Sequence, residues 1–163
     1  MKPLWLQVFA RTVCWLAMAA ILSLRSWVAG AQDSVRYDIS FPNYVHHEAR
    51  VRAVFSGAAI GDPLHVRMSR SSPGRYALHE FAKNVYDVSA TDDAGRPLEV
   101  SRPDPYTWLV AGHDGVVVFR YTLFADHGDG TYSQIDNTHA HLNMPATFAW
   151  SPALEEAPIQ IRF

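Results

Sequence analysis

The sequence predicts an all-β domain, an antiparallel β-sandwich or open sheet with one short helical segment, preceded by a signal-peptide helix. Three observations predict it. Apolar and polar residues alternate at period two in several short runs, as half-buried strands require. Clusters of Gly, Pro and Asp punctuate those runs. No long stretch after residue 31 carries the 3.6-residue period of an amphipathic helix. Short strands at such spacing indicate two layers packed on one core.

Val35, Tyr37, Ile39 and Phe41 alternate with Arg36, Asp38 and Ser40 until Pro42-Asn43 ends the run. Val51, Ala53 and Phe55 alternate next and stop at Ser56-Gly57. Leu64, Val66 and Met68 form a third run after Gly61-Asp62-Pro63. Tyr76–Asn84 predicts one or two helical turns, because Ala77, Phe81 and Val85 recur every four residues. Tyr86, Val88 and Ala90 predict a strand closed by Asp92-Asp93-Ala94-Gly95. Trp108 and Val110, then Val116 to Leu123, predict a hairpin around Gly112-His113-Asp114-Gly115. Both faces of Val116–Leu123 read as buried or half-buried, which marks a central strand. Ile159, Ile161 and Phe163 alternate to the last residue, with no polar tail. Chain ends are usually polar and loosely held, so this pattern favours a truncated edge; the competing reading is a strand that completes the sheet.

The first 31 residues read as an export signal. Lys2 and Arg11 supply positive charge, Val13–Leu24 an apolar run, and Ala29-Gly30-Ala31 the small residues of a cleavage site. The run falls short of the ~20 apolar residues that span a bilayer. Cleavage after Ala31 leaves residues 32–163 as a single β domain with no stable membrane anchor, bound for the periplasm or the exterior. Of 14 Lys+Arg and 16 Asp+Glu, the leader holds Lys2, Arg11 and Arg25, leaving 11 against 16 and a formal net charge of −5. An acidic domain without a basic stripe is a poor partner for phosphate backbones, so nucleic acid is excluded as a main partner. The single cysteine, Cys14, lies in the leader. No disulfide can form within residues 32–163, and stability there must come from apolar burial.

Catalytic chemistry is hard to assemble from these residues. His46-His47-Glu48 resembles half of a zinc-binding helix, but the position four after His47 is Val51, so the His-Glu-x-x-His spacing fails. His139 and His141 point to one side of an extended segment, with Asp136, Asn137 and Asn143 nearby. Zinc takes three or four protein ligands, and spacing supplies no third, which favours a polar hydrogen-bonded loop. Asp126, Asp129 and Asp136 lack the closing glutamate of a calcium loop. There is no Gly-x-Ser-x-Gly elbow, and nothing singles out a carboxylate pair. No catalytic residue and no metal ligand is assigned.

One stretch carries a resemblance. Pro73-Gly74-Arg75-Tyr76 followed by Phe81-Ala82-Lys83-Asn84-Val85 resembles the Pro-Gly-x-Tyr…Phe-Ala-x-Asn-Val signature of the glycyl aminopeptidase family, in its N-terminal domain. The likeness continues through Asp92–Leu98, Thr107-Trp108, Val116–Phe124 and Asp136–Asn143. This chain departs from many relatives in having Arg70-Ser71-Ser72 where a Trp precedes the Pro-Gly. In the signature, Pro73-Gly74 fits the centre of a type II turn. Tyr76 and Phe81 are expected to bury their rings, and Asn84 to hydrogen-bond backbone.

The resemblance implies a non-catalytic module of a PDZ-containing, thermolysin-like zinc metallopeptidase. Zinc would belong only to a catalytic domain in the same or a neighbouring chain, the one partner implied. Such a module scaffolds the catalytic domain and can line its substrate cleft. Asn137, His139, His141 and Asn143 are the expected rim. The alternative is a stand-alone binder of peptide or sugar, stacking its ligand on Tyr44, Tyr106, Trp108, Tyr132 and Trp150.

Overall fold

The computed structural model describes residues 32–163; the expected leader, its cleavage site and Cys14 lie outside the described residues. The described residues form ten strands: β1 (Ser34–Asn43), β2 (Glu48–Ser56), β3 (Leu64–Arg67), β4 (Val85–Thr91), β5 (Glu99–Asp104), β6 (Thr107–Ala111), β7 (Val116–Phe124), β8 (Gln134–Ile135), β9 (Ala140–His141) and β10 (Ile159–Arg162). Among the described residues one α-helical turn, α1, spans Met144–Thr147.

The alternating runs pair into a five-stranded sheet of order β10-β1-β2-β7-β4. Its inner rows follow from the register: Val35 opposite Phe55 and Val117, Tyr37 opposite Ala53 and Phe119, Ile39 opposite Val51 and Tyr121. These residues are buried and form the floor of the core. A three-stranded sheet, β3-β6-β5, covers them. Leu64, Val66, Trp108 and Val110 point down from it, and the Trp108 ring lies 5.7 Å from that of Phe119. The product is an open, two-layered and mostly antiparallel fold, as the alternation predicts.

Two tyrosines close the core at its side. Tyr121 Oη donates to Thr147 O at 2.6 Å and accepts from Ala149 N at 3.1 Å, while Tyr37 Oη donates to Ala149 O at 2.7 Å. The strand-like segment after α1 thereby satisfies its backbone groups on side chains rather than on a neighbouring strand. Burial pushes both phenols far above their ordinary pKa, so they remain neutral donors.

Several expectations need correction. β6 and β7 do not form a hairpin. They belong to different sheets, and the Gly112–Gly115 link carries the chain from one layer to the other. The hairpin partner of β6 is β5, a strand with Pro103 and no fully buried residue that the alternation rule passes over. β10 pairs with β1 in parallel, making the large sheet mixed. In β4 a bulge between Tyr86 and Ser89, with Asp87 at φ 51°, inverts the phase. Tyr86 consequently faces out while Val85 and Ala90 face in.

The Pro-Gly signature is half confirmed. Arg75 N donates to Ser72 O at 3.2 Å and Gly74 has φ 80°, which is the type II turn. Phe81 is fully buried and opens one 3-10 turn, Phe81–Asn84. Tyr76, in contrast, is fully exposed, and Ala77 and Leu78 beside it are exposed. The helix expected over 76–80 does not form, because Arg70 O instead accepts the His79 N–H at 2.8 Å and holds the segment as an open loop. Asn84 is half-buried and makes no side-chain hydrogen bond to backbone among the described residues.

Candidate functional site

One end of the five-stranded sheet collects the expected rim residues together with exposed apolar groups. It is built on the turn between β1 and β2. Pro42-Asn43 stops β1, and Tyr44–His46 makes one 3-10 turn. His47 then takes the left-handed conformation at φ 60°, its N–H donating to Tyr44 O at 3.0 Å. This turn leaves Tyr44 and Val45 exposed. Phe124, the last residue of β7, stands on the outward phase beside Glu48 and is 41% exposed.

His47 joins this turn to the excursion over 125–143. Its carbonyl accepts Ala125 N–H at 2.7 Å, and its Nδ1 lies 2.6 Å from Ile135 O. A carbonyl only accepts, so Nδ1 must carry the proton and Nε2 is left free. The Asp126 carboxylate is 3.7 Å away. The excursion is two stacked loops. Ile135 N donates back to Ala125 O at 2.8 Å, and Asp126 bridges Gln134. Between them Asp129 Oδ1 accepts Thr131 N–H and Tyr132 N–H at 2.9 and 3.0 Å. Tyr132 is packed edge-on by Phe81, His79 and His127.

The second loop, between β8 and β9, is the polar tip. Asp136 Oδ1 accepts from Thr138 N at 2.7 Å, Thr138 Oγ1 at 2.6 Å and His139 N at 3.0 Å. Bonds from the Thr138 hydroxyl and N–H and from the His139 N–H, in that order, hold this carboxyl at about 2, well below the usual range. The His139 Nδ1 sits 2.9 Å from Thr138 Oγ1, with the ring turned to solvent. Asn137, His139 and His141 are all exposed. Asn143 faces the other way. Its Nδ2 donates to Ser72 Oγ at 3.1 Å and Gly130 O at 2.8 Å, and its N–H donates to Ser133 Oγ at 3.0 Å. It ties the Pro-Gly turn, the first loop and the start of α1 together, and so positions the tip from behind.

Two shallow hollows flank the junction. One of about 370 Å³ is lined by Phe41, Tyr44, Ile135, Asn137 and His139. The other, of about 330 Å³, is lined by Lys83, Phe124, Asp126, His127 and Tyr132. Among the described residues, no group of three or more His, Cys, Asp or Glu is placed to hold a metal ion. Asp129 and Asp136 are engaged by their own turns. The aromatic residues considered for ligand stacking do not share a platform. Trp108 is in the core, Tyr106 lies under Arg70 at 4.3 Å, and Tyr132 is enclosed by its neighbours. Val45 and Phe124 were not legible as surface residues from apolarity alone. The phase of β7, in which Phe124 follows Arg120 and Thr122, is the signal that would have found the second.

No curated protein matches the chain. Among solved structures, it resembles the crystal structure of an aminopeptidase N family protein from Idiomarina loihiensis. The TM-score is 0.70 at 17% sequence identity, over 78% of this chain and 22% of that one. At that identity the likeness is one of fold, and this chain spans about a fifth of the other's length. The family model for the peptidase M61 N-terminal domain matches residues 36–163, so nearly all of the β fold described above is accounted for, and the chain belongs to the peptidase M61 N-terminal domain family.

Proposed function

We propose that residues 32–163 form the non-catalytic β module of an exported zinc metallo-aminopeptidase. The module scaffolds a thermolysin-like catalytic domain in the same or a neighbouring chain. The end face docks on that domain through Tyr44, Val45 and Phe124, and Asn137, His139 and His141 stand at the rim of the substrate cleft. The carrying observation is the end face itself, where exposed apolar side chains adjoin a pre-organised polar tip. Apolar groups grouped at one end mark an interaction surface better than scattered ones do. The tip is held rigid by Asp136 and Asn143, as a rim contact needs. In this reading zinc and its activated water belong to the catalytic domain, and this chain contributes orientation and exclusion of solvent. Export to the periplasm or exterior rests on the basic, apolar and small-residue order of the first 31 residues.

The test is kinetic, in the full-length peptidase that carries this module. His139→Ala together with Asn137→Ala is expected to raise KM several-fold with kcat retained. Phe124→Asp with Tyr44→Asp is expected to abolish activity by undocking, with the β fold intact by circular dichroism. Wild-type KM and full activity in both variants would refute the docking face. Turnover that survives chelation would refute the zinc assignment.

A further inference from the structure

The second surface of interest is the outer face of the five-stranded sheet, remote in role from the end face. Residues 32–163 hold 11 basic side chains against 16 acidic ones. Five of those basic residues, Arg36, Arg50, Arg52, Arg120 and Arg162, fall on this single face by strand phase. Only Asp38, Glu48 and Asp87 oppose them there. The charge of the domain is thus segregated, with a basic sheet face on an otherwise strongly acidic body.

The register concentrates the arginines further. Arg52 is the direct cross-strand partner of both Asp38 and Arg120. Like charges directly opposite on neighbouring strands destabilise a sheet. Asp38 offsets this only in part, because it is shared between two arginines. Its Oδ2 accepts from Arg52 at 2.9 Å and its Oδ1 from Arg162 at 2.6 Å. Arg120 reaches only the Thr91 hydroxyl, at 3.1 Å. Arg50, one row along, has no carboxylate within ion-pair distance among the described residues. Arg50, Arg52 and Arg120, with Ser40, Ser89 and Thr122, line an open trough of about 460 Å³. The volume is that of an ordinary ligand site. Asp87 is held at the trough wall by the β4 bulge, in a left-handed conformation that costs a non-glycine residue energy.

We propose that this trough recognises an extended acidic peptide segment of another protein. Arg50 and Arg120 would each clamp a carboxylate, for which the guanidinium fork is suited. The hydroxyls would donate to the peptide's carbonyls, and Asp87 would accept one of its N–H groups. A mixed set of donors and acceptors fits a peptide.

The experiment is fluorescence anisotropy with the full 163-residue chain and a fluorescein-labelled Glu-rich octapeptide, at low and at raised salt. A Lys-rich octapeptide and an oligodeoxynucleotide of matched charge are the comparison probes. Saturable, salt-sensitive binding of the Glu-rich peptide alone is expected, and Arg50→Gln or Arg120→Gln should weaken it about tenfold, the scale of a charged hydrogen bond. Arg75→Gln, on the Pro-Gly turn, should leave it unchanged. Arg120→Gln should also hold or raise the Tm, since it removes the Arg52–Arg120 repulsion. No binding, equal weakening by Arg75→Gln, a lower Tm in Arg120→Gln, or tighter binding of the oligonucleotide would each overturn the proposal. Because the probe is a free peptide, the outcome is independent of whether the end face docks a catalytic domain.

Discussion

At the scale of single residues, the chain spends its polar side chains mostly on holding its own loops. Asp136 is the clearest case, with one oxygen accepting three hydrogen bonds inside a four-residue loop. Its folded pKa of about 2 lies below the ~3.9 of an unfolded aspartate. A group depressed in this way stabilises the fold above the unfolded pKa and loses that contribution as pH falls through the folded one. The Tm of Asp136→Ala should therefore lie below wild type at neutral pH, by an amount that is steady above pH ~5 and shrinks between pH ~4 and ~2. Thermal melts across that range measure it, and a gap independent of pH would remove the carboxylate from the account. Asn143 is a similar case. The sequence pattern marks it as polar and close to His139 and His141, but polarity cannot say which way a side chain turns.

At the scale of elements, the order of the large sheet rests on β7, which pairs with β2 and β4 and buries its inward face, while Arg120 and Phe124 stand exposed on the outward one. The run of Val, Phe, Tyr and Leu makes that central place legible beforehand. Its Tyr121 shows what an element contributes beyond its ladder, because its hydroxyl replaces a missing strand for the 147–149 segment. Tyr121→Phe leaves Thr147 O and Ala149 N–H buried without that partner, at an expected cost of about 1–3 kcal/mol. Urea unfolding reads this directly, and an unchanged midpoint would mean the segment is held by packing alone. Gly57 anchors the other end of the sheet. At φ 142° it lets the Asp33 backbone pass so closely that an added Cβ would fall 2.6 Å from its Cα. No side chain fits there without moving the start of β1.

At the scale of the whole molecule, the two layers meet over Phe119, which is fully buried between Trp108 above and its own sheet below. With no cysteine in residues 32–163, this contact has no covalent reserve. Phe119→Ala should therefore destabilise the domain by about 3–5 kcal/mol. A loss under about 1 kcal/mol in chemical denaturation would contradict a core shared by the two sheets. The same two-layer plan leaves two surfaces free of core duty. The end face carries the apolar groups and the polar tip, and the outer sheet face carries the arginines.

Most of the longer strands, the turn at Pro73-Gly74, the interior place of β7 and the family resemblance were readable from order alone, whereas β5, β8 and β9 were not. Each depends on neighbours within a few positions, since strand geometry sends alternate side chains to opposite faces. What order alone could not supply was pairing across distance. Whether Gly112–Gly115 turns a hairpin or crosses between layers depends on where β3 and β5 lie. Tyr76 is exposed because Arg70 O captures the His79 N–H and not because of its own character. The Arg52–Arg120 juxtaposition exists only once β2 and β7 are in register. Local pattern sets which residues can share a face, and long-range hydrogen bonding chooses which of them meet.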